Sequence, residues 1–149
     1  MTPQQSTLKP SGRPETPGST CDGSAGAVAT FCVVLPYPPT VNTLWRRVGN
    51  RTLLSAKGRE YHAQVADRVT AQAYLVGHSV PPAPHDVTVT AWVPDRRKRD
   101  IDNIFKAIFD PLYRTIGLDD SVIVDLQAHK RYDGHSSSVV VTIRTAEEA

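Results

Sequence analysis

The chain has 149 residues, which bounds it to one compact domain with additional tails. It is 40% hydrophobic and 21% charged, with no apolar run near the roughly 20 residues of a membrane helix, so a cytoplasmic protein without membrane segments is expected. The net charge is only +2, but basic residues concentrate at 46–59 and 96–99, and acids at 100–125. This pattern is typical of a site that holds phosphates around metal ions, although a solvated mixed-charge surface has it too.

Residues 1–29 are predicted to form a disordered tail. Proline, glycine, serine and threonine make up 16 of these 29 residues, and large apolar side chains are nearly absent. Such a segment cannot bury enough surface to offset the entropy that it would lose on ordering. The ordered domain is therefore predicted to span 30–149.

The first predicted elements are an apolar strand and an extended segment. The short apolar run at 31–35 is typical of a buried strand. The prolines between 36 and 39 predict a non-helical path that continues to Arg47. A turn at Gly49-Asn50 then predicts a short returning strand at 51–54.

Two helices and a strand between them follow in the chain. Ser55 is the predicted N-cap of a helix that ends near Gly77, because apolar residues recur there at four-residue spacing. Alternating β-branched residues predict a strand at 86–93. A basic loop at 94–99 separates this strand from a second helix, whose apolar residues at 101–112 recur at helical spacing.

The last part of the chain completes the predicted fold. Pro111 lies inside the second helix and is expected to kink it or distort its last turn. A long strand at 122–132 follows, and Asp133-Gly134 predicts a hairpin turn to a return strand at 138–143. The predicted order is β(β)αβαββ. This order indicates the α+β class, a single domain with a mixed β-sheet and two main helices behind the disordered N-terminal tail.

The most informative residues lie where the basic loop meets the second helix. Asp100 and Asp102 flank a core-facing isoleucine, and Asn103 and Lys106 follow at the helix start. Clustered carboxylates repel one another, and a hard cation such as magnesium removes that penalty. Such a site can polarise a phosphodiester and activate water, while Lys106 neutralises charge that develops on the phosphoryl oxygens.

Each of these residues also has a purely structural interpretation. Asp100 or Asp102 can serve as an N-cap, and Asp102 with Lys106 can form an exposed i,i+4 ion pair. Asp119-Asp120 can be a solvated turn. A bare D-x-D pattern does not decide between these interpretations, but its combination with Asn103, Lys106 and the downstream acid pair favours a catalytic site.

The RusA family of Holliday junction resolvases has a signature that these residues resemble. The resemblance lies in the string Asp100-x-Asp102-Asn103-x-x-Lys106-x-x-x-Asp110-x-Leu112, followed by Gly117-x-Asp119-Asp120-Ser121. Two upstream strings are also similar to that family, Pro38-Pro39-x-x-Asn42-x-x-Trp45-Arg46 and Leu54-Ser55-x-x-Gly58-Arg59-x-Tyr61. Because the resemblance runs from about Phe31 to Ile143, residues 30–149 are predicted to be a RusA-like endonuclease domain.

The resemblance implies a homodimeric endodeoxyribonuclease of bacterial or phage-infected cells, which resolves Holliday junctions by paired symmetric nicks during DNA recombination and repair. Its cofactor would be magnesium, with manganese as an alternative. Asp100, Asp102 and Asp120 would be the catalytic, metal-binding acids, with Asp119 as the alternative to Asp120. The predicted catalytic lysine is Lys106, and the supporting residues are Asn42 and Asn103. A two-fold dimer also matches the two equivalent strands of a junction.

Two basic clusters are predicted to contact DNA phosphates, which position DNA without reading its sequence. Their members are Arg46, Arg47, Arg51, Lys57 and Arg59 in the first cluster, and Arg96, Arg97, Lys98 and Arg99 in the second. Trp45 and Tyr61 suit stacking on exposed bases, but a core position is the favoured interpretation for both.

Other functions stay open on the sequence alone. A nuclease for other branched DNA, such as flaps or forks, would use the same chemistry on a substrate of different shape. A non-catalytic junction-binding protein has no need to collect acids that repel DNA, so the acidic set argues against it. A small-molecule phosphohydrolase has little support, because the sequence has no glycine-rich phosphate loop.

Overall fold

The computed structural model describes residues 29–74, 77 and 79–147, so the predicted tail lies outside the described residues except for Ala29. The strands are β1 (Thr30–Pro36), β2 (Trp45–Val48), β3 (Arg51–Leu54), β4 (His85–Trp92), β5 (Ile123–Arg131) and β6 (Ser138–Thr145). The helices are α1 (Val41–Leu44), α2 (Ala56–Tyr74) and α3 (Phe105–Ile116), with 3-10 turns at Ile101–Ile104 and Asp120–Val122.

Four of the strands form one mixed sheet in the order β1-β6-β4-β5. β4 and β5 run parallel, whereas β6 is antiparallel to both β1 and β4. β2 and β3 form a separate antiparallel hairpin. The α+β class, the mixed sheet and the two main helices, α2 and α3, are therefore confirmed.

The prediction that the last two strands form a hairpin is wrong. β5 pairs with β4, and β6 lies between β1 and β4. The turn residues at Asp133 belong to a connection that crosses the sheet, where the Asp133 carboxylate accepts hydrogen bonds from the backbone N–H groups of His135 and Ser136 at 2.8 and 2.7 Å. The turn residues at Asp133 correctly marked the end of one strand and the start of the next, but they did not determine which strands pair.

The core lies on one face of the sheet, under α2 and α3. Alternate residues of β1, β6 and β4 point to this face and are fully buried, as the alternation of β-branched residues in β4 predicted. They pack against the apolar stripe of α2, which includes Val65 and Val69, and against Ile108 and Leu112 of α3. The helices cover β1, β6 and β4, whereas β5 contacts this core only at its first residue, Ile123, and has no buried residue.

The segment before α2 differs from the extended path that the prolines predicted. Residues 41–44 form one helical turn, in which the Leu44 N–H donates to the Thr40 carbonyl at 2.8 Å. The prolines precede this turn and do not interrupt it, and Leu44 is fully buried, so tertiary packing outweighs the local preference. The strand β2, which follows the turn, was also missed and pairs with the predicted strand β3.

The start of α2 follows the predicted cap. The Ser55 hydroxyl accepts a hydrogen bond from the Gly58 N–H at 3.0 Å and donates one to the Thr43 carbonyl. Gly58 allows α1 to approach closely, because a Cβ at this position would lie 2.5 Å from the Leu44 carbonyl oxygen. This contact fixes α1 and the β2–β3 hairpin against the body of the domain.

The second main helix, α3, continues without a break through Pro111 to Ile116. The Pro111 carbonyl accepts a hydrogen bond from the Thr115 hydroxyl at 2.7 Å, and the helix ends at Gly117, which has a left-handed conformation with φ of 77°. Together β4, the turn Ile101–Ile104, α3 and β5 form a crossover between parallel strands. This crossover determines where the predicted acids lie.

Candidate active site

Asp100 and Asp102 follow β4 in the chain, where the basic loop after that strand enters the 3-10 turn Ile101–Ile104. Asp100 occupies the N-cap position of this turn, but its side chain makes no capping hydrogen bond. Asp102 lies in the first turn, and both residues are exposed. The two ion pairs found in the described residues both involve Asp95, so Asp102 and Lys106 do not form the alternative i,i+4 pair. Asp100 therefore does not cap the turn with its side chain, and Asp102 does not form the ion pair with Lys106, so these two structural interpretations do not apply.

The basic loop before these acids is organised around Asp95. The Asp95 carboxylate accepts a hydrogen bond from the Arg99 guanidinium at 2.9 Å and one from the Arg97 backbone N–H at 3.0 Å. These hydrogen bonds, from Arg99 first, lower the pKa of Asp95. Arg99 also lies over the Tyr37 ring at 5.8 Å, and the Lys130 ammonium donates to the Arg99 carbonyl at 2.9 Å. Arg99 thus holds the loop in place, whereas Arg97 and Lys98 remain exposed.

A cavity of about 420 Å³ opens beside Asp100. One wall comes from the segment between Tyr37 and Asn42, and the other from Lys98, Asp100 and Asn103. Asn42 and Asn103 are about sixty positions apart in the chain, and the fold brings them to one cavity because α1 lies beside the turn Ile101–Ile104. The two predicted supporting residues thus lie beside one of the predicted catalytic acids.

Asp119 and Asp120 line a second cavity, of about 310 Å³, beyond the other end of α3. The Asp119 carboxylate caps the turn Asp120–Val122 by accepting the Ser121 N–H at 2.9 Å, and hydrogen bonding from Ser121 lowers the pKa of Asp119. Asp120 is exposed and has no such capping role. Of the two adjacent acids, Asp119 therefore has a structural role in the described fold, whereas Asp120 does not cap this turn.

Sequence reasoning missed a buried pair behind this second cavity. His85 is completely buried, and its Nε2 lies 2.9 Å from the Pro81 carbonyl oxygen, which can only accept. Nε2 therefore carries a proton, and Nδ1 lies at hydrogen-bond distance, 3.0 Å, from the Tyr113 hydroxyl. Burial raises the pKa of Tyr113, and the negative charge of Asp120 adds to the shift. No local sequence signal links these residues, because the contact joins β4 to α3.

The crossover separates the predicted acids within one chain. Asp100 follows the carboxyl end of β4, whereas Asp120 precedes the amino end of the parallel strand β5. The nine residues of β5 alone span roughly 26 Å at about 3.3 Å per residue. Accordingly, the described residues contain no group of three or more histidine, cysteine or acidic side chains that could hold a metal ion. The three-acid metal site thus stays a prediction that one chain by itself does not assemble.

The first basic cluster is spread over two elements. Arg46, Arg47 and Arg51 lie on the β2–β3 hairpin and are exposed. Lys57 and Arg59 lie in the first turn of α2, where the Arg59 guanidinium donates to the Leu54 carbonyl at 2.9 Å.

In the second cluster, the Arg96 guanidinium lies 4.9 Å from the centre of the Tyr132 ring. The core interpretation is confirmed for Tyr61, which is buried and donates to the Pro36 carbonyl at 2.9 Å, whereas Trp45 is half-buried.

Exposed carboxylates beside exposed arginines are more typical of a nuclease active site than of the active site of an enzyme that acts on small molecules. A family model described as Endodeoxyribonuclease RusA matches residues 36–144. The crossover junction endodeoxyribonuclease RusA of Escherichia coli (strain K12) is 38% identical over 103 residues, which cover 68% of this chain and 82% of that protein.

Two further relatives are also crossover junction endodeoxyribonucleases of the RusA type. That of Enterobacteria phage 82 is 35% identical over 102 residues, and that of Shigella sonnei (strain Ss046) is 37% identical over 103 residues; each match covers 68% of this chain and 82% of the relative. The chain therefore belongs to the RusA family of endodeoxyribonucleases, and the predicted enzyme class is confirmed. No helix within the described ranges is long and apolar enough to cross a membrane.

Proposed function

We propose that this protein resolves four-way DNA junctions by paired symmetric nicks, with magnesium as cofactor, during DNA recombination and repair. The observation that carries the proposal is the exposed Asp100, free of any capping bond, in a cavity with Asn42, Lys98 and Asn103. The relatives whose names describe crossover junction endodeoxyribonucleases support the substrate. Such a substrate would place the protein with the genome, in the cytoplasm of a bacterial or phage-infected cell.

The donor chemistry of the predicted acids fits magnesium. Carboxylate oxygens are ligands that magnesium prefers, and this ion is often held by one or two carboxylates while it keeps waters and binds substrate phosphate. Asp100 and Asp102 would hold it from one side, and Asp120 is the third predicted ligand. When bound, magnesium polarises the phosphodiester and favours ionisation of the attacking water. Manganese, with the same preference for oxygen, is the expected substitute.

The side chains of the protein would do the rest of the chemistry. The exposed Lys106, one turn after Asp102, offsets the negative charge that develops on the phosphoryl oxygens as water attacks phosphorus and the P–O bond to the leaving strand breaks. Asn42 and Asn103 orient the phosphate by hydrogen bonds, and the exposed arginines of the hairpin hold the adjoining phosphates.

A homodimer follows from both the substrate and the separation of the acids. A junction presents two equivalent strands, and a two-fold dimer presents two equivalent sites. Because Asp100 and Asp120 lie at opposite ends of parallel strands in one chain, we infer that each site combines Asp100 and Asp102 of one protomer with Asp120 of the partner subunit. An inactive monomer and two coupled sites per dimer would then be expected.

The proposal is tested by cleavage of a labelled synthetic four-way junction with magnesium, comparing the wild type with Asp102→Asn. We expect paired symmetric nicks from the wild type. The cleavage rate of the variant should be lower by a factor of about 100 or more, with junction binding retained. Asp67→Asn, which changes an exposed acid on α2, is the matched control and should cleave normally.

Other outcomes of this experiment point to the alternative functions. Tight junction binding without cleavage in magnesium or manganese would indicate a non-catalytic junction-binding protein. Equal or faster cleavage of flaps or forks would indicate a nuclease for other branched DNA. Cleavage of linear duplex at the same rate as the junction would contradict the substrate assignment.

A further inference from the structure

β5 is an outer strand that the rest of the domain leaves largely exposed. It has nine residues, none of them buried, although it belongs to the same sheet as three strands with fully buried positions. Its inner edge pairs with β4, and no strand within the described ranges pairs with its outer edge. Its exposed apolar side chains include Val124, which is 63% exposed, and Leu126.

An edge of this kind is rarely left open in a folded protein. Unpaired backbone N–H and C=O groups along a long strand form a template for pairing with another strand. Proteins usually interrupt such edges with proline, a bulge or a central charge, but the middle of β5, Leu126-Gln127-Ala128, has none of these. The register shift against β4 lies at the very start of the strand, near His85.

The two faces of β5 have different chemistry. Leu126 and Ala128 lie beside Val87 and Val89 of β4, so they extend the apolar row on the face that α2 and α3 cover. Asp125, Gln127 and His129 lie beside the more polar residues of β4 on the other face. A further strand paired with the outer edge of β5 would therefore extend both the sheet and its apolar, helix-covered face.

We propose that β5 pairs antiparallel with β5 of a second copy, about a two-fold axis near Gln127, to give one continuous eight-stranded sheet. This interface rests on the homodimer in the proposed function. The charges along β5 favour this direction, because Asp125 lies in the first half, and Lys130 and Arg131 lie in the second. Antiparallel pairing sets Asp125 opposite His129 of the partner subunit, whereas parallel pairing would set like charges side by side.

The same register joins the apolar rows and the acids of the two copies. Leu126 would face the partner's Ala128 on the helix-covered side, which extends the core across the axis. Arg131 would face the partner's Ile123, so the partner's Asp120, just before that strand, would approach the loop that ends at Asp100. Paired strands lie about 4.8 Å apart, which removes most of the separation between these acids in one chain.

Cross-linking at the axis tests the interface without any measurement of cleavage. In a Gln127→Cys variant, the two new thiols would face each other across the axis, with Cα atoms about 5 Å apart, within reach of a disulfide. We expect a covalent dimer on mild oxidation, seen by non-reducing electrophoresis. Wild type and Gln64→Cys, an exposed position on α2, are the controls and should stay uncross-linked. Dimers that sediment as such but do not cross-link through Cys at 127 would overturn the proposal.

A charge exchange provides the second test, read by sedimentation equilibrium. Asp125→Lys and His129→Asp should each raise the dimer dissociation constant about tenfold or more, and the double variant should restore it. Equal effects that simply add in the double variant would contradict the pairing. A cross-linked dimer that does not cut junctions would support the interface and contradict the proposed function. Active dimers that do not cross-link would contradict the interface alone.

Discussion

Asp119 and Asp120 are adjacent acids with different surroundings. The Asp119 carboxylate accepts the Ser121 N–H and caps a turn, whereas Asp120 is exposed and lies close enough to Tyr113 to raise the pKa of that phenol further. The geometry therefore separates a structural acid from a candidate catalytic acid, a distinction that the sequence resemblance left open.

We expect Asp120→Asn to lower the junction cleavage rate about 100-fold or more, because it removes a predicted metal ligand. Asp119→Asn should keep most of the activity, since its role is a cap that an amide oxygen partly replaces. Rates measured at saturating magnesium under single-turnover conditions check both. A larger loss in Asp119→Asn than in Asp120→Asn would reverse the assignment.

The Asp133 carboxylate gives the fold a specific acid sensitivity. Hydrogen bonds from Ser136, and then from His135, lower the pKa of Asp133 from 3.8 to about 2. Because its pKa is lower in the folded than in the unfolded chain, the stabilisation is complete above the unfolded value and is lost as the pH falls from about 4 to about 2.

An Asp133→Asn variant should be less stable than the wild type at neutral pH, and the difference should shrink as the pH falls from about 4 towards 2. Urea unfolding over a series of pH values measures this difference. A gap that stays constant across the whole series would show that the ionised carboxylate contributes no stability.

At the scale of elements, the β2–β3 hairpin exposes its arginines to solvent. It is attached through α1, which packs against the start of α2 at Gly58. The hairpin lies outside the main sheet, and its short strands, four residues each, carry mostly exposed side chains. Such an element contributes little to the core, which fits a role in holding a charged substrate.

Replacing Arg46 and Arg47 by alanine should weaken junction binding and flatten its salt dependence. Each lost phosphate contact lowers the slope of log affinity against log salt by about 0.9, so the pair should lower it by about 1.8. Arg68→Ala, on an exposed position of α2, serves as the control and should leave the slope unchanged. An unchanged slope in the double variant would remove the hairpin from the DNA interface.

Local patterns predicted the elements better than they predicted pairing. The spacing of Val65 and Val69 and the alternation of β4 are properties of one helix and one strand, so they can be read along the chain. The pairing of β6 with β1 and β4 depends on contacts between distant segments, which no local pattern records. A short turn at Asp133 therefore suggested a hairpin that the sheet does not contain.

The candidate site divides in the same way. The approach of Asp100 to Asn103 follows from their closeness in the chain, and both line one cavity. The approach of Asn42 and the buried pair His85–Tyr113 depend on tertiary contacts between distant segments. The distance between Asp100 and Asp120 depends on the direction of a crossover, so the sequence could name these acids without revealing that one chain keeps them apart.

At the scale of the whole molecule, the separation of the acids connects chemistry to assembly. If each site needs two copies, as proposed, the protein cannot cut until the dimer has formed, and the two-fold symmetry of the dimer would match that of a junction. Cleavage would then depend on the protein concentration around the dimer dissociation constant, and paired nicks would follow from the geometry of the assembly.

The most direct test is complementation between two inactive variants, Asp100→Asn and Asp120→Asn, co-expressed with different tags and purified through both. If each site combines acids from two protomers, a mixed dimer has one site with both acids intact and one with neither. We predict that the mixed dimers nick one strand of a four-way junction, while both parent homodimers stay inactive. Mixed dimers that bind the junction but never nick it would contradict sites shared between protomers.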